Sequence, residues 1–370
     1  MAVLAAVQIL RVQAAEAPVG VLLGMRLGAS SDDPAEYPAP SRYRTLWIVK
    51  TGLDVRLVSS ADVLIVPRPN GFWRIGGVES RFSESYTEEL IWVSSRVDQS
   101  LRVKDDASGC RGRSFAQVEF VAGEFLAYSG GTKSNCGDKD NDWFSPTVGR
   151  MTELQGHAFG IGPGTVAISE PFGQRGMEAL TRAAQALNRQ RGRADSNAEP
   201  DAEPPREPVE PFDTEWGLRW ESTALSVFTY GKRFRDDGFV AKLPLSPLEA
   251  TFGRHSRPLA PRAVTSVAPD ATGAFLSPVG GLLVVATPRE VLAFGASSPP
   301  FGNPALRIQI GAYPDSGEGT GWGAPRGTAP VMAEWATGPY VATWTDAVRN
   351  LGKQPIPRVV VEKSVAVEAK

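Results

Sequence analysis

The sequence predicts a mainly β, antiparallel protein carrying two short amphipathic helices. Three observations predict it. First, a fourteen-residue pattern occurs twice, as VLIVPRPNGFWRIG at 63–76 and LLVVATPREVLAFG at 282–295. Each copy has an apolar run of four, a polar stretch with a proline, a second apolar or aromatic run and a closing glycine. That is how two paired strands joined by a tight connection look in one dimension. Second, β-branched and aromatic runs are common while stretches with helical periodicity are few. Third, turn residues separate the apolar runs at intervals of about ten, as in sandwiches, barrels and related all-β folds. Glycine (38) and proline (30) are abundant in the 370 residues, yet below the level that marks wholesale disorder.

Taken in order, residues 1–44 read as a leader plus an extended arm. Residues 1–10 are mostly apolar and small residues follow, as at an export cleavage site. Gln8 and Arg11 interrupt the run, and no basic residue precedes it, so a first strand or helical stub is the other reading. Residues 45–190 form an N-terminal β-rich unit, with strands over 46–50, 55–58, both halves of the first repeated block, and 89–93. A helix over 174–190 follows, because Met177, Leu180, Ala184 and Leu187 recur on one face. Residues 191–211 are rich in proline and acidic side chains, which suits either a linker between units or a long loop within one.

The second β-rich unit spans 212–352, with strands over 215–220, 224–230, 238–243, 272–276, the second block, 306–310 and 329–335. Its closing helix is announced by Gly338 and Pro339, lined by Tyr340, Trp344, Val348 and Leu351, and stopped by Gly352. The tail, 353–370, adds an edge strand or stays without structure.

The stretch TGAFLSPVGGLLVVATPREVLAFG at 272–295 resembles a β-propeller blade segment, and the block at 63–76 shares the second half of that pattern. The resemblance covers 24 residues in full. It implies a β-propeller-like architecture, with roughly sixteen strands filling four blades. Two β-sandwich-like or barrel-like units fit the same strands.

Cys110 and Cys136 are the only cysteines. Between them two strand-like runs turn at Gly123, and each cysteine lies thirteen residues from that glycine. Residues equidistant from an antiparallel turn face one another, so a disulfide is expected if the compartment is oxidising. The other reading is two buried, unpaired thiols.

Little assembled chemistry is legible. The net charge is −2, and the basic residues are spread without a stripe, so nucleic acid is not an expected partner. No run of eighteen apolar residues marks a transmembrane helix. The two histidines, His157 and His255, sit in polar loop contexts without a serine elbow. The glycine-rich stretches at 160–164 and 317–327 lack phosphate-binding spacing and read as turns. Asp138, Asp140 and Asp142 alternate as in the start of a calcium loop, although Trp143 stands where the turn glycine belongs and Gly149 where the bidentate glutamate belongs. Of nine tryptophans, most fall in strand-like runs and read as core, whereas Trp143 and Trp322 fall in polar loops and read as exposed contacts for a partner.

The expected function is a non-catalytic, exported binding or scaffold protein with a protein or glycan ligand. The alternatives are an extracytoplasmic hydrolase with paired carboxylates, for which Glu88, Glu89, Asp105, Asp106, Asp236 and Asp237 are candidates, and a calcium-stabilised adhesion module.

Overall fold

The structure, a computed structural model, describes residues 17–28, 42–81, 86–96, 101–105, 112–134, 143–155, 158–159, 165–195, 212–221, 224–231, 239–246, 259, 261–295, 301–310, 328–357 and 359–363. The protein is mostly β, in largely antiparallel sheets.

A central sheet has the order β19-β1-β2-β3, from β1 (Val19–Leu27), β2 (Arg42–Thr51), β3 (Asp54–Ala61) and β19 (Ala329–Thr337). The large sheet runs β10-β9-β8-β6-β5-β4. Its strands are β4 (Leu64–Arg68), β5 (Gly71–Arg81), β6 (Tyr86–Ser94), β8 (Gly112–Ala122), β9 (Phe125–Ser134) and β10 (Trp143–Arg150), with β11 (Ala158–Phe159) paired to β6. A three-stranded sheet joins β12 (Trp216–Glu221), β13 (Ala224–Gly231) and β14 (Phe239–Leu243). A meander joins β15 (Gly273–Leu276), β16 (Leu283–Ala286), β17 (Glu290–Phe294) and β18 (Leu306–Gln309). In the tail, β20 (Val359–Lys363) lies parallel to β7 (Leu101–Asp105). The helices are α1 (Met151–Leu154), α2 (Ser169–Asp195), α3 (Pro261–Thr265) and α4 (Tyr340–Leu351).

Both repeated blocks are hairpins. Leu64 pairs with Ile75 across β4–β5, and Leu283 pairs with Phe294 across β16–β17. Gly71, at a φ of 124°, closes the first turn in a conformation other residues avoid.

The central sheet is buried on both faces. Val21, Leu23 and Met25 of β1, with Ile48 of β2, pack against Phe275, Val284 and Val291 of the meander. On the opposite face, Leu22 and Trp47 pack against Leu64, Ile75, Leu90 and Val118 of the large sheet, and against Val341 and Val348 of α4. A third core joins Phe120, Phe125 and Val148 of the large sheet to Leu180 of α2 and to Trp216 and Val227. A bulge between Val118 and Phe120 makes this arrangement workable. Before it, Ala116 and Val118 enter the core shared with the central sheet; after it, Phe120 and Ala122 enter the core shared with α2.

Three features depart from the sequence reading. Val19–Leu27, inside the stretch assigned to a leader and arm, is an inner strand with every residue buried. It pairs with β2 on one edge and with β19, some three hundred residues later in the chain, on the other. Its N–H and C=O groups are therefore satisfied without water. In α4, Tyr340 is 65% exposed, and Val341 is buried in its place. The buried stripe runs Val341, Trp344, Val348 and Leu351, at helical spacings of three, four and three. α2 also runs on to Asp195, with a kink at Gly173, so it includes the first residues of the proline-rich, acidic stretch. Sheets and helices from both sides of that stretch share one core.

Candidate functional site

β2, β5, β6, the end of β18 and the segment after α4 enclose a cleft of about 620 Å³. Its back wall is Tyr43 and Trp92, both buried. Gly76 lies opposite Trp92 in the β5–β6 ladder. A Cβ at position 76 would fall 2.6 Å from Trp92 Cζ2, so only glycine lets the indole lie across β5. The Trp92 Nε1 is buried and has no acceptor among the described residues.

Arg74 grips the same indole, with its guanidinium 5.7 Å from the ring centroid. Its Nη1 donates to the carbonyls of Pro355, at 2.9 Å, and Gln354, at 3.4 Å. Burial lowers the Arg74 pKa. These bonds fix the chain after α4 and set Ile356, 55% exposed, at the mouth.

The other walls are also held in place. The Val118 N–H donates to Tyr43 Oη at 2.9 Å. Burial first, and the charge of Glu89 second, push the Tyr43 phenol above its ordinary range, so it stays neutral. Thr45 Oγ1 donates to the Val63 carbonyl at 2.7 Å and accepts the Ile65 N–H at 2.9 Å, which pins the corner that carries Asp62. Gln309 Nε2 donates to Glu290 Oε2 at 3.1 Å.

The rim carries both signs of charge. Arg42 and Glu79 are exposed, and Arg44 Nε pairs with Asp62 Oδ1 at 3.4 Å. Val78 and Ile356 supply apolar surface between them. A rigid back wall, an apolar middle and a mixed-charge rim suit non-covalent recognition. Asp62, largely exposed and paired with Arg44, has the surroundings of an ordinary surface carboxylate. Glu334, a carboxyl whose pKa burial pushes up, does not line the cleft.

Behind the cleft lies a buried polar network. Arg26 Nη1 meets Glu119 Oε2 at 2.7 Å, with both side chains 3% exposed, and also donates to the Val118 carbonyl at 3.2 Å. Gln117 Nε2 and Ser129 Oγ donate to Glu119 Oε1 at 2.8 and 2.5 Å. Glu119 is the bulged residue of β8, without a ladder partner in β9. The bulge turns its carboxylate toward the central sheet.

Among the described residues, none of the candidates taken from sequence lines the cleft. Cys110, Cys136, Asp138, Asp140, Asp142 and Trp322 lie outside the described residues, as do His157 and His255. Trp143 opens β10 and pairs with Thr132, so it belongs to a strand and not to a loop; its side chain is outside the described part. Of the candidate carboxylates, Glu89 is a buried residue of β6, 2% exposed. Among the described residues, no three His, Cys, Asp or Glu side chains gather as a metal site. No helix among them is long and apolar enough to cross a membrane. The cleft left one mark in the sequence, the pair Gly76-Gly77 inside a strand pattern, which signals a close approach. The chain matches no family model, no curated protein and no solved structure.

Proposed function

We propose that the protein is a non-catalytic, extracytoplasmic binding protein that receives a segment of another protein in the cleft behind Ile356. The observation that carries this reading is the construction of the cleft: apolar surface from Val78 and Ile356, with Arg42, Arg44, Asp62 and Glu79 around it. Apolar contacts ringed by charges of both signs match a peptide with an apolar residue and flanking charges. Fixed walls favour binding, because little order has to be created when the ligand enters.

The test is a panel of immobilised heptapeptides, with a glycan array as the competing chemistry. The expected result is selection of peptides that combine an apolar residue with charges. Ile356→Asp combined with Arg42→Glu should weaken the selected peptides at least tenfold, about 1.4 kcal/mol. Selection of glycans alone would overturn the peptide ligand. Binding of neither would overturn the cleft as a binding site.

The oxidising compartment rests on the cysteines. At the open end of the β8–β9 hairpin, Gly112 pairs with Ser134. In the sequence, Cys110 and Cys136 each stand two residues beyond that pair. The intact protein is expected to be lighter by two hydrogens before reduction than after it, and to lose stability on reduction by about 3 kcal/mol for a loop of this size. Two thiols that react with an alkylating reagent in the unreduced, unfolded protein would remove the bridge and this argument for export.

A further inference from the structure

The tip of the β8–β9 hairpin is gripped from two sheets at once. Gly123, at a φ of 53°, is the turn residue. Its carbonyl accepts a hydrogen bond from Arg68 Nη1, at the end of β4, and the Arg68 guanidinium lies 5.1 Å over the Trp73 ring. Its N–H donates to the carboxyl group of Glu334, on β19 of the central sheet. The next residue is held as well: the Glu124 carbonyl accepts the Met151 N–H at 2.8 Å, and the Glu124 carboxylate pairs with Arg150 at 2.9 Å. Arg150 in turn pairs with Glu170 of α2 at 2.6 Å. One turn therefore ties the central sheet, the large sheet, α1 and α2 together.

Glu334 is the buried member of this set, 8% exposed, and sits opposite Leu22 in the β1–β19 ladder. Among the described side chains, the charged groups on the elements around it are Arg26, Glu119, Arg219, Asp346, Arg349 and Arg68. Arg26 and Glu119 are paired with each other, and the Arg219 guanidinium lies over Phe228. Among the described residues, the charge of Arg68 acts on Glu334 and favours its carboxylate.

We propose that Glu334, Gly123 and Arg68 form a clasp that acid tightens and rising pH loosens, controlling how firmly the β8–β9 tip is held to β19. The physical cause is burial, which disfavours the carboxylate; the Gly123 N–H and Arg68 offset only part of this, and the Glu334 pKa is pushed up to about 8 from an ordinary 4.5. In the closed clasp the group holds its proton up to about pH 8; released into water it loses it above about pH 4.5. Between these limits the open state binds fewer protons, so opening grows more favourable as pH rises, by up to about tenfold per pH unit. Above pH 8 both states are ionised and the dependence levels off. This device is independent of the binding reading and stands or falls without it.

The experiment is hydrogen exchange of the 120–126 segment in the full chain, expressed as protection relative to intrinsic exchange, from pH 5 to pH 9.5. Wild-type protection should fall by at least tenfold more than that of Glu334→Gln, which keeps the acceptor but cannot ionise, and should level off near pH 8. Arg68→Met removes a cation that favours the carboxylate, so its fall should continue beyond pH 8. Equal pH profiles for wild type and Glu334→Gln would overturn the clasp. Should the glutamine variant not fold, infrared titration of the wild type decides: a protonated carboxyl band is expected at pH 7, and its absence there would equally overturn the proposal.

Discussion

Replacing Glu119 with leucine is expected to destabilise the protein by about 3–5 kcal/mol, because it breaks a buried ion pair from one side. Arg26 and Glu119 are each 3% exposed and meet at 2.7 Å between the central and large sheets. The Val118 carbonyl, 3.2 Å from Arg26 Nη1, is a neutral acceptor and does not replace the lost carboxylate. Gln117 and Ser129 lose one acceptor, the Glu119 Oε1, in the same step. The partner experiment separates the value of the pair from the cost of breaking it. Arg26→Met together with Glu119→Leu should recover most of the loss, since replacing both ions with apolar groups of similar volume is often neutral or stabilising. Urea unfolding of wild type, both single variants and the double variant forms the required cycle. A double variant no more stable than the single Glu119→Leu variant would mean that the site needs its charges for packing. A single variant within about 0.5 kcal/mol of wild type would mean that the pair is reached by water.

The second large effect is expected at Gly20. A Cβ there would lie 2.3 Å from Trp47 Cη2, far inside contact distance. The ring has little freedom to move. Trp47 Nε1 donates to Thr345 Oγ1 at 2.8 Å, and its ring packs 5.8 Å from that of Trp344, which in turn meets Phe72 edge-on. The strand cannot retreat either, because β1 is hydrogen-bonded on both edges. Gly20→Ala should therefore cost about 3 kcal/mol, at the upper end for over-packing a core. Adding Trp47→Phe to Gly20→Ala should return part of that stability by making room, although the smaller ring leaves Thr345 without its donor. Thermal unfolding checks both. If the double variant were less stable than Gly20→Ala by the full cost of Trp47→Phe alone, the steric account would be wrong.

These two positions show what local pattern left hidden. The hairpin halves at 63–76 and 282–295 were legible because turn residues and alternation are carried by neighbours in the chain. The helix over 174–190 was legible from Leu180 and Ala184, which are buried as their spacing requires. The strand at Val19–Leu27 was not, because burial on both faces removes the alternation that marks a half-buried strand. For Tyr340 a spacing of four from Trp344 suggested the core, yet the first turn of α4 turns it outward and Val341 inward. The cleft was hidden for a different reason. Its rim is built from ordinary arginines and carboxylates, and only the approach of β2, β5 and the chain after α4 makes them neighbours.

The amino-acid order by itself determined that this chain would be mainly β, where several of its hairpins would turn and which face most of each helix would bury. Those outcomes depend on side-chain periods and turn chemistry, which act over a few residues. Tertiary structure alone decided that β1 would lie between β2 and β19, that Arg26 would meet Glu119, and that Glu334 would be buried against the Gly123 turn. The reason is that a charge has no burial or partner until distant strands close around it, and the dielectric it then experiences is a property of the packed sheets, not of its neighbours in the chain.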